Sequence, residues 1–153
     1  MSDTLDQIDR AILRNLQRDA TLGVEDLGER VALSRNACWR RIKRLEEAGI
    51  LSRKVALVDP DKVDLGLMVF VMIRTNEHEK DWLRRFRNSV IEMPEIMGAH
   101  RMSGDLDYVL RVRVSDVKAY DRFYQRLIAK VPVANVSASF VMEDIKDTTE
   151  LPL

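Results

Sequence analysis

Residues Ser34 to Ile50 read "SRNACWRRIKRLEEAGI". Cys38, Ile42 and Leu45 recur at spacings of four and three, which is one inward face of a helix. Ser34 is a natural N-cap ahead of it, and Gly49 is a natural residue just past its end. Turned outward on such a helix are Arg35, Asn36, Trp39, Arg40 and Lys43. Upstream, Leu5, Ile8, Ile12 and Leu16 trace a second amphipathic face, with Ser2, Asp3 or Thr4 as its cap. "GVEDLGERVAL" supplies a third through Val24, Leu27 and Val31. Three short helices with tight connections form a helix-turn-helix pattern.

Past Gly49 the period changes. "ILSRKVALVD" is rich in β-branched and apolar residues and stops at Asp59-Pro60, so it reads as one or two short strands. A hairpin there makes the module a winged helix-turn-helix. "DPDKVDLGL" has the chemistry of a linker, and the domain boundary is set there: 1–60 for the first domain, 61–153 for the second.

The second domain has another grammar. "LMVFVMIRT" reads as a strand; "EKDWLRRFRNSVIEM", with Trp82, Phe86 and Val90, as a helix stopping before Pro94. "EIMGAHRMS" and "YVLRVRVS" are strands around the turn-rich "GDLD". Asp116 can cap "VKAYDRFYQRLIAKV", where Tyr120, Phe123, Tyr124 and Leu127 share a face, and "ANVSASFVMEDI" alternates as a last strand. The order βαββαβ is that of a ferredoxin-like sandwich, and the fold class is α+β.

Composition narrows the function. The chain has 153 residues, 46% hydrophobic and 33% charged, with a formal net charge of zero. That neutrality hides a pattern. Residues 1–33 hold four basic and seven acidic residues, while residues 34–54 hold seven basic and two acidic ones. A local excess of this size marks either a solvated helix face or a polyanion site. The helical order favours DNA, because such a helix fits the major groove with its N-terminal residues at base edges. On that reading Ser34, Arg35, Asn36, Trp39 and Arg40 approach the groove, while Lys43, Arg44, Arg53 and Lys54 meet phosphates. Trp39 neighbours Cys38 on the helical wheel, so its alternative is partial burial.

Other classes find little support. The two histidines, His78 and His100, lie in different elements, and no metal or P-loop motif accompanies them, so neither a catalytic residue, a metal ligand nor a cofactor is expected. Asp105 and Asp107 in "SGDLDY" form a carboxylate pair whose simpler reading is a hairpin turn. The longest apolar run, Leu67 to Ile73, is too short to span a membrane, and the first ten residues lack the apolar core of a secretory signal. Cys38 is the lone cysteine, reads as a small buried hydrophobe and fits a cytoplasmic location.

"LDQIDRAILRNLQRDA", "ALSRNACWRRIKRLEEAGIL", "SGDLDYVLRVRVSD" and "FVMEDIK" together resemble the Lrp/AsnC family of transcription regulators, in the family's order and across nearly the whole chain. The resemblance implies a winged helix-turn-helix followed by an αβ-sandwich (RAM-type) domain that dimerises and binds small effectors, usually amino acids. "CWRRIKRLEEAGI" and "KVALVDPDK" look most like a branch that includes cysteine-responsive regulators. Many members carry Pro just before the cysteine, where this chain has Ala37. By motif, the effector site between neighbouring dimers falls on Met102, Ser103, Gly104, Asp105 and Tyr108, on Asp116, and on Ser137 and Ser139. Backbone N–H groups near Gly104 suit a carboxylate, and Asp105 or Asp116 suits an ammonium group. Asp116 can equally serve as a helix cap.

The expected protein is a sequence-specific regulator of double-stranded DNA that responds to an amino acid and assembles as a dimer, then a tetramer or octamer. The alternative is an architectural DNA-compacting protein without an effector; a third reading is an enzyme with an accessory DNA module.

Overall fold

The computed structural model describes residues 5–75, 80–133 and 135–153. Two compact units divide the chain: residues 1–56 with 146–153, and residues 57–145. This differs from a division at residue 60 mainly in the last eight residues, which belong with the first unit.

The first unit contains α1 (Gln7–Arg18), α2 (Val24–Arg30) and α3 (Arg35–Glu47). Asp6 is the N-cap of α1, where it forms a capping box with Asp9. The expected cap candidates Ser2, Asp3 and Thr4 lie outside the described residues. Ile12, Leu13 and Leu16 of α1 meet Leu27 of α2 and Cys38, Ile42 and Leu45 of α3 in one buried cluster. Gly28 permits the tight turn between α2 and α3: a Cβ there would stand 2.8 Å from the Leu33 carbonyl oxygen. Ser34 caps α3, accepting the Ala37 N–H at 3.3 Å. At the other end Gly49 has φ +69, the Ile50 N–H reaches the Leu45 carbonyl at 3.0 Å, and the Gly49 N–H reaches that of Glu46 at 3.0 Å. Those two bonds complete a Schellman stop.

The expected wing does not form. Residues 51–58 contain no strand, and Val55, Leu57 and Val58 are exposed. The segment has β-type composition but no Asn-Gly or Gly-containing turn to fold it on itself, and a strand without a partner leaves its backbone groups unpaired. β-propensity is only a preference for a pleated, half-buried surface, and none is offered here.

The second unit matches its expected order: β1 (Leu67–Arg74), α4 (Lys80–Glu92), β2 (Ile96–Arg101), β3 (Tyr108–Val114), α5 (Val117–Lys130) and β4 (Asn135–Phe140). A short 3₁₀ turn at Asp61–Val63 precedes them. β4 is shorter than expected, although the Val141 N–H still reaches the Met68 carbonyl at 3.0 Å. The sheet order is β2-β3-β1-β4, with every neighbouring pair antiparallel. Val69, Val71 and Ile73 alternate along β1 and, with Leu110, Val112 and Val114 of β3, face Trp82, Phe86, Phe123 and Leu127 of the two helices. Strand alternation therefore turns Met68, Phe70 and Met72 to the opposite face, where Phe70 is exposed.

Candidate nucleic-acid interface and effector site

Helix α3 owes its place to Cys38, Ile42 and Leu45, which are buried against α1 and α2. Their burial turns Arg35, Asn36, Trp39, Arg40 and Lys43 to solvent together with Ser34. Trp39 is 52% exposed, so partial burial and an open indole face both hold for it. Lys43 makes a surface contact with Glu46 at 3.4 Å, one turn along the helix. Arg53 and Lys54 are exposed just beyond the helix. Cys38 is fully buried, and that burial pushes its thiol pKa up, which makes it unreactive packing.

Arg44, expected to meet phosphate, is also held by an ion pair within the first unit. Its guanidinium pairs with the Asp9 carboxylate, and Arg41 meets the same carboxylate at 2.8 Å and that of Asp6 at 2.6 Å. Asp9 is 1% exposed, so two cations compensate one buried anion and fasten α1 to α3. Charge counting missed this, because it treats all five basic residues of the stretch alike. The available signal was the pairing of Asp6 and Asp9 with Arg41 and Arg44, each pair one helical turn apart. The Asp6 pKa is pulled down to about 2, first by the Asp9 N–H it accepts and then by Arg41.

The expected effector residues do not converge within one chain. Met102, Ser103, Gly104 and Asp105 are exposed in the β2–β3 connection, where Gly104 has φ +109. Asp107 holds that connection in place: its N–H reaches the Ile73 carbonyl at 3.0 Å, and its carboxylate accepts the Thr75 N–H at 2.8 Å. Asp107 is thus a hairpin brace. Tyr108 turns to the helix side, with its ring 4.6 Å from that of Phe86. Ser137 and Ser139 pair with Met72 and Phe70, so they lie on the sheet face opposite α4 and α5. Asp116 caps α5, accepting the Ala119 N–H at 2.7 Å, and this bond, with a smaller one from Ser115, lowers its pKa. It stands at the far end of β3 from Gly104, roughly 20 Å away at strand rise.

A cleft of about 640 Å³ also opens in the second unit, bordered by Glu95, Arg113, Ser115, Arg122, Gln125 and Arg126. None of the expected effector residues lines it.

Two known domains cover most of the chain. Residues 5–46 match the AsnC-type helix-turn-helix domain, and residues 68–151 match the Lrp/AsnC ligand binding domain. The chain belongs to the Lrp/AsnC family. It is 52% identical over 150 residues to the DNA-binding transcriptional activator DecR of Escherichia coli K12, covering 97% of this chain and 99% of that one. The crystal structure of an AsnC family transcriptional regulator from Agrobacterium tumefaciens superposes with a TM-score of 0.94 at 55% identity, covering 97% of both chains. A transcriptional regulator from Neisseria meningitidis, solved in complex with L-methionine, gives 0.93 at 39% identity with the same coverage. This Lrp/AsnC protein is therefore a DNA-binding transcriptional regulator built from a helix-turn-helix and a ligand-binding αβ sandwich.

Proposed function

We propose that this regulator reads a specific operator through α3 and changes its operator affinity or assembly when an α-amino acid binds between copies of the second unit. The observation that carries the reading is the division of labour among its arginines. Asp9 retains Arg41 and Arg44 for structure, whereas Arg35 and Arg40 have no ion-pair partner among the described residues and flank the exposed Trp39. Bidentate arginine contacts to guanine edges are the commonest specific contact in the major groove. Arg53 and Lys54 then supply phosphate contacts that position the helix.

The effector half is supported by the L-methionine bound to the Neisseria relative and by the separation of Gly104 from Asp116. Groups at opposite ends of one strand can meet one small ligand only if a second copy brings its own end to the first. A site shared between copies makes assembly and ligand binding two sides of one equilibrium. The exposed Phe70, on the sheet face opposite α4 and α5, favours a dimer through that face, with dimers associating further. Among the described residues no helix is long and apolar enough to cross a membrane, and work on chromosomal DNA in the cytoplasm suits the single buried cysteine.

Footprinting on the region upstream of its own gene, with and without each of the twenty amino acids, tests the reading. A protected site whose affinity changes with one amino acid, L-methionine and L-cysteine being the first to try, is the expected result. Uniform coating of any duplex, unaltered by every amino acid, would overturn it in favour of DNA compaction.

A further inference from the structure

We propose that residues Lys146–Leu153 form a strap that runs on from β4 of the ligand-binding domain and fastens non-covalently to helix α1, giving the DNA-binding unit a second connection to the effector domain besides the linker around Pro60. By sequence this segment lies mostly within the ligand-binding domain, whose match runs to residue 151, yet it packs with the first unit. The attachment is made by side chains. Gln17 accepts the Leu151 N–H at 2.6 Å and donates to the Leu151 carbonyl at 3.3 Å. Arg14 donates to the Leu153 carbonyl at 3.0 Å, and Arg18 pairs with Glu150 at 3.1 Å. Positions 14, 17 and 18 share one helix face. Leu153 is half-buried against the cluster that holds the three helices together.

The path continues on both sides. Beyond α1, the buried Asp9 grips Arg41 and Arg44 of the recognition helix. Before the strap, the chain leaves β4, the strand of Ser137 and Ser139 and a neighbour of β1 throughout its length. A displacement of β4 is thereby transmitted through eleven residues from Phe140 to Leu151, then to α1, then to α3. An effector biases DNA binding only if it favours one of two arrangements, and the strap makes the position of β4 one of the variables that distinguish them. The inference rests on the effector-responsive reading above.

Two variants test it: the full chain with Gln17→Met, which keeps the side-chain length but loses both amide bonds, and a chain ended after Lys146. Hydrogen exchange is measured with and without duplex DNA at low salt. In the wild type, DNA is expected to slow exchange in α3 and also to change it in β4 and residues 141–151. In both variants the α3 effect should persist and the β4 effect should vanish. A β4 response that survives in either variant, or is absent from the wild type, overturns the strap. Operator titrations with saturating L-methionine form the second arm. The wild-type shift, expected to be about fivefold or more, should fall below about twofold in the variants, with methionine-free affinity kept within about threefold. A wild type unresponsive to L-methionine and to the other amino acids sinks the effector reading alone, because the exchange arm still decides the strap.

Discussion

Arg40 and Lys54 are both exposed cations, and DNA distinguishes them by what each meets. Arg40→Ala should weaken operator binding by on the order of 1–3 kcal/mol and relax the preference at one half-site position, as loss of a bidentate base contact does. Lys54→Ala should weaken all sequences alike and flatten the salt dependence by about one unit; salt titrations on operator and scrambled duplexes measure both. Asp6 offers a different test. Its carboxyl titrates near 2 in the folded chain, below the ordinary aspartate value near 3.9, so the folded state holds the proton less tightly than the unfolded one. The stability it contributes is present above about pH 4 and fades as the pH falls towards 2. Urea midpoints of wild type and Asp6→Asn should therefore differ at neutral pH and converge in acid. At this scale the N-cap Ser34, the stop at Gly49 and the buried Cys38 were all legible, because each depends on local geometry or residue type. The division between free and committed arginines was not, because it depends on where α1 lies against α3.

The contact between α1 and α3 makes an asymmetric prediction. Removing Arg41 and Arg44 together, each to Ala, strands the buried Asp9 carboxylate and should cost about 3 kcal/mol or more. Asp9→Asn removes the anion instead and leaves two arginines that still reach water, so its cost should be about 1–2 kcal/mol. Denaturant unfolding ranks the two variants, and equal costs would mean that the network contributes no more than surface pairs. Asp9→Asn also frees Arg44, so nonspecific DNA binding should tighten and its salt slope steepen. The same comparison explains which elements could be read in advance. Helices with an inward stripe and strands with strict alternation carry their own evidence. Residues 51–58 have strand composition but no strand partner among the described residues, and β4 stops at Phe140 although its apolar pattern runs on. Pairing is a property of two segments, and one segment's composition cannot supply it.

For the molecule as a whole, the sheet face opposite α4 and α5 bears on assembly. Phe70→Glu places a charge in the middle of that face, on a side chain already 38% exposed, so a single copy should tolerate it. A dimer through the sheet would bury two such charges opposite each other. Sedimentation should then show the wild type as a dimer or larger at micromolar concentration and Phe70→Glu shifted towards monomer, with the far-ultraviolet circular dichroism unchanged. A wild-type monomer would remove the dimer. The division into two units also places one tryptophan in each. Trp39 stands open to solvent on α3, while Trp82 is 2% exposed in the second unit, its indole N–H bonded to the Pro132 carbonyl at 2.6 Å. The protein thus contains two optical probes of opposite character. Iodide should quench the red-edge emission of Trp39 and spare the bluer light of Trp82; DNA should shield the first from the quencher, and loss of the sandwich core should shift the second to the red, so one cuvette reports on each half separately.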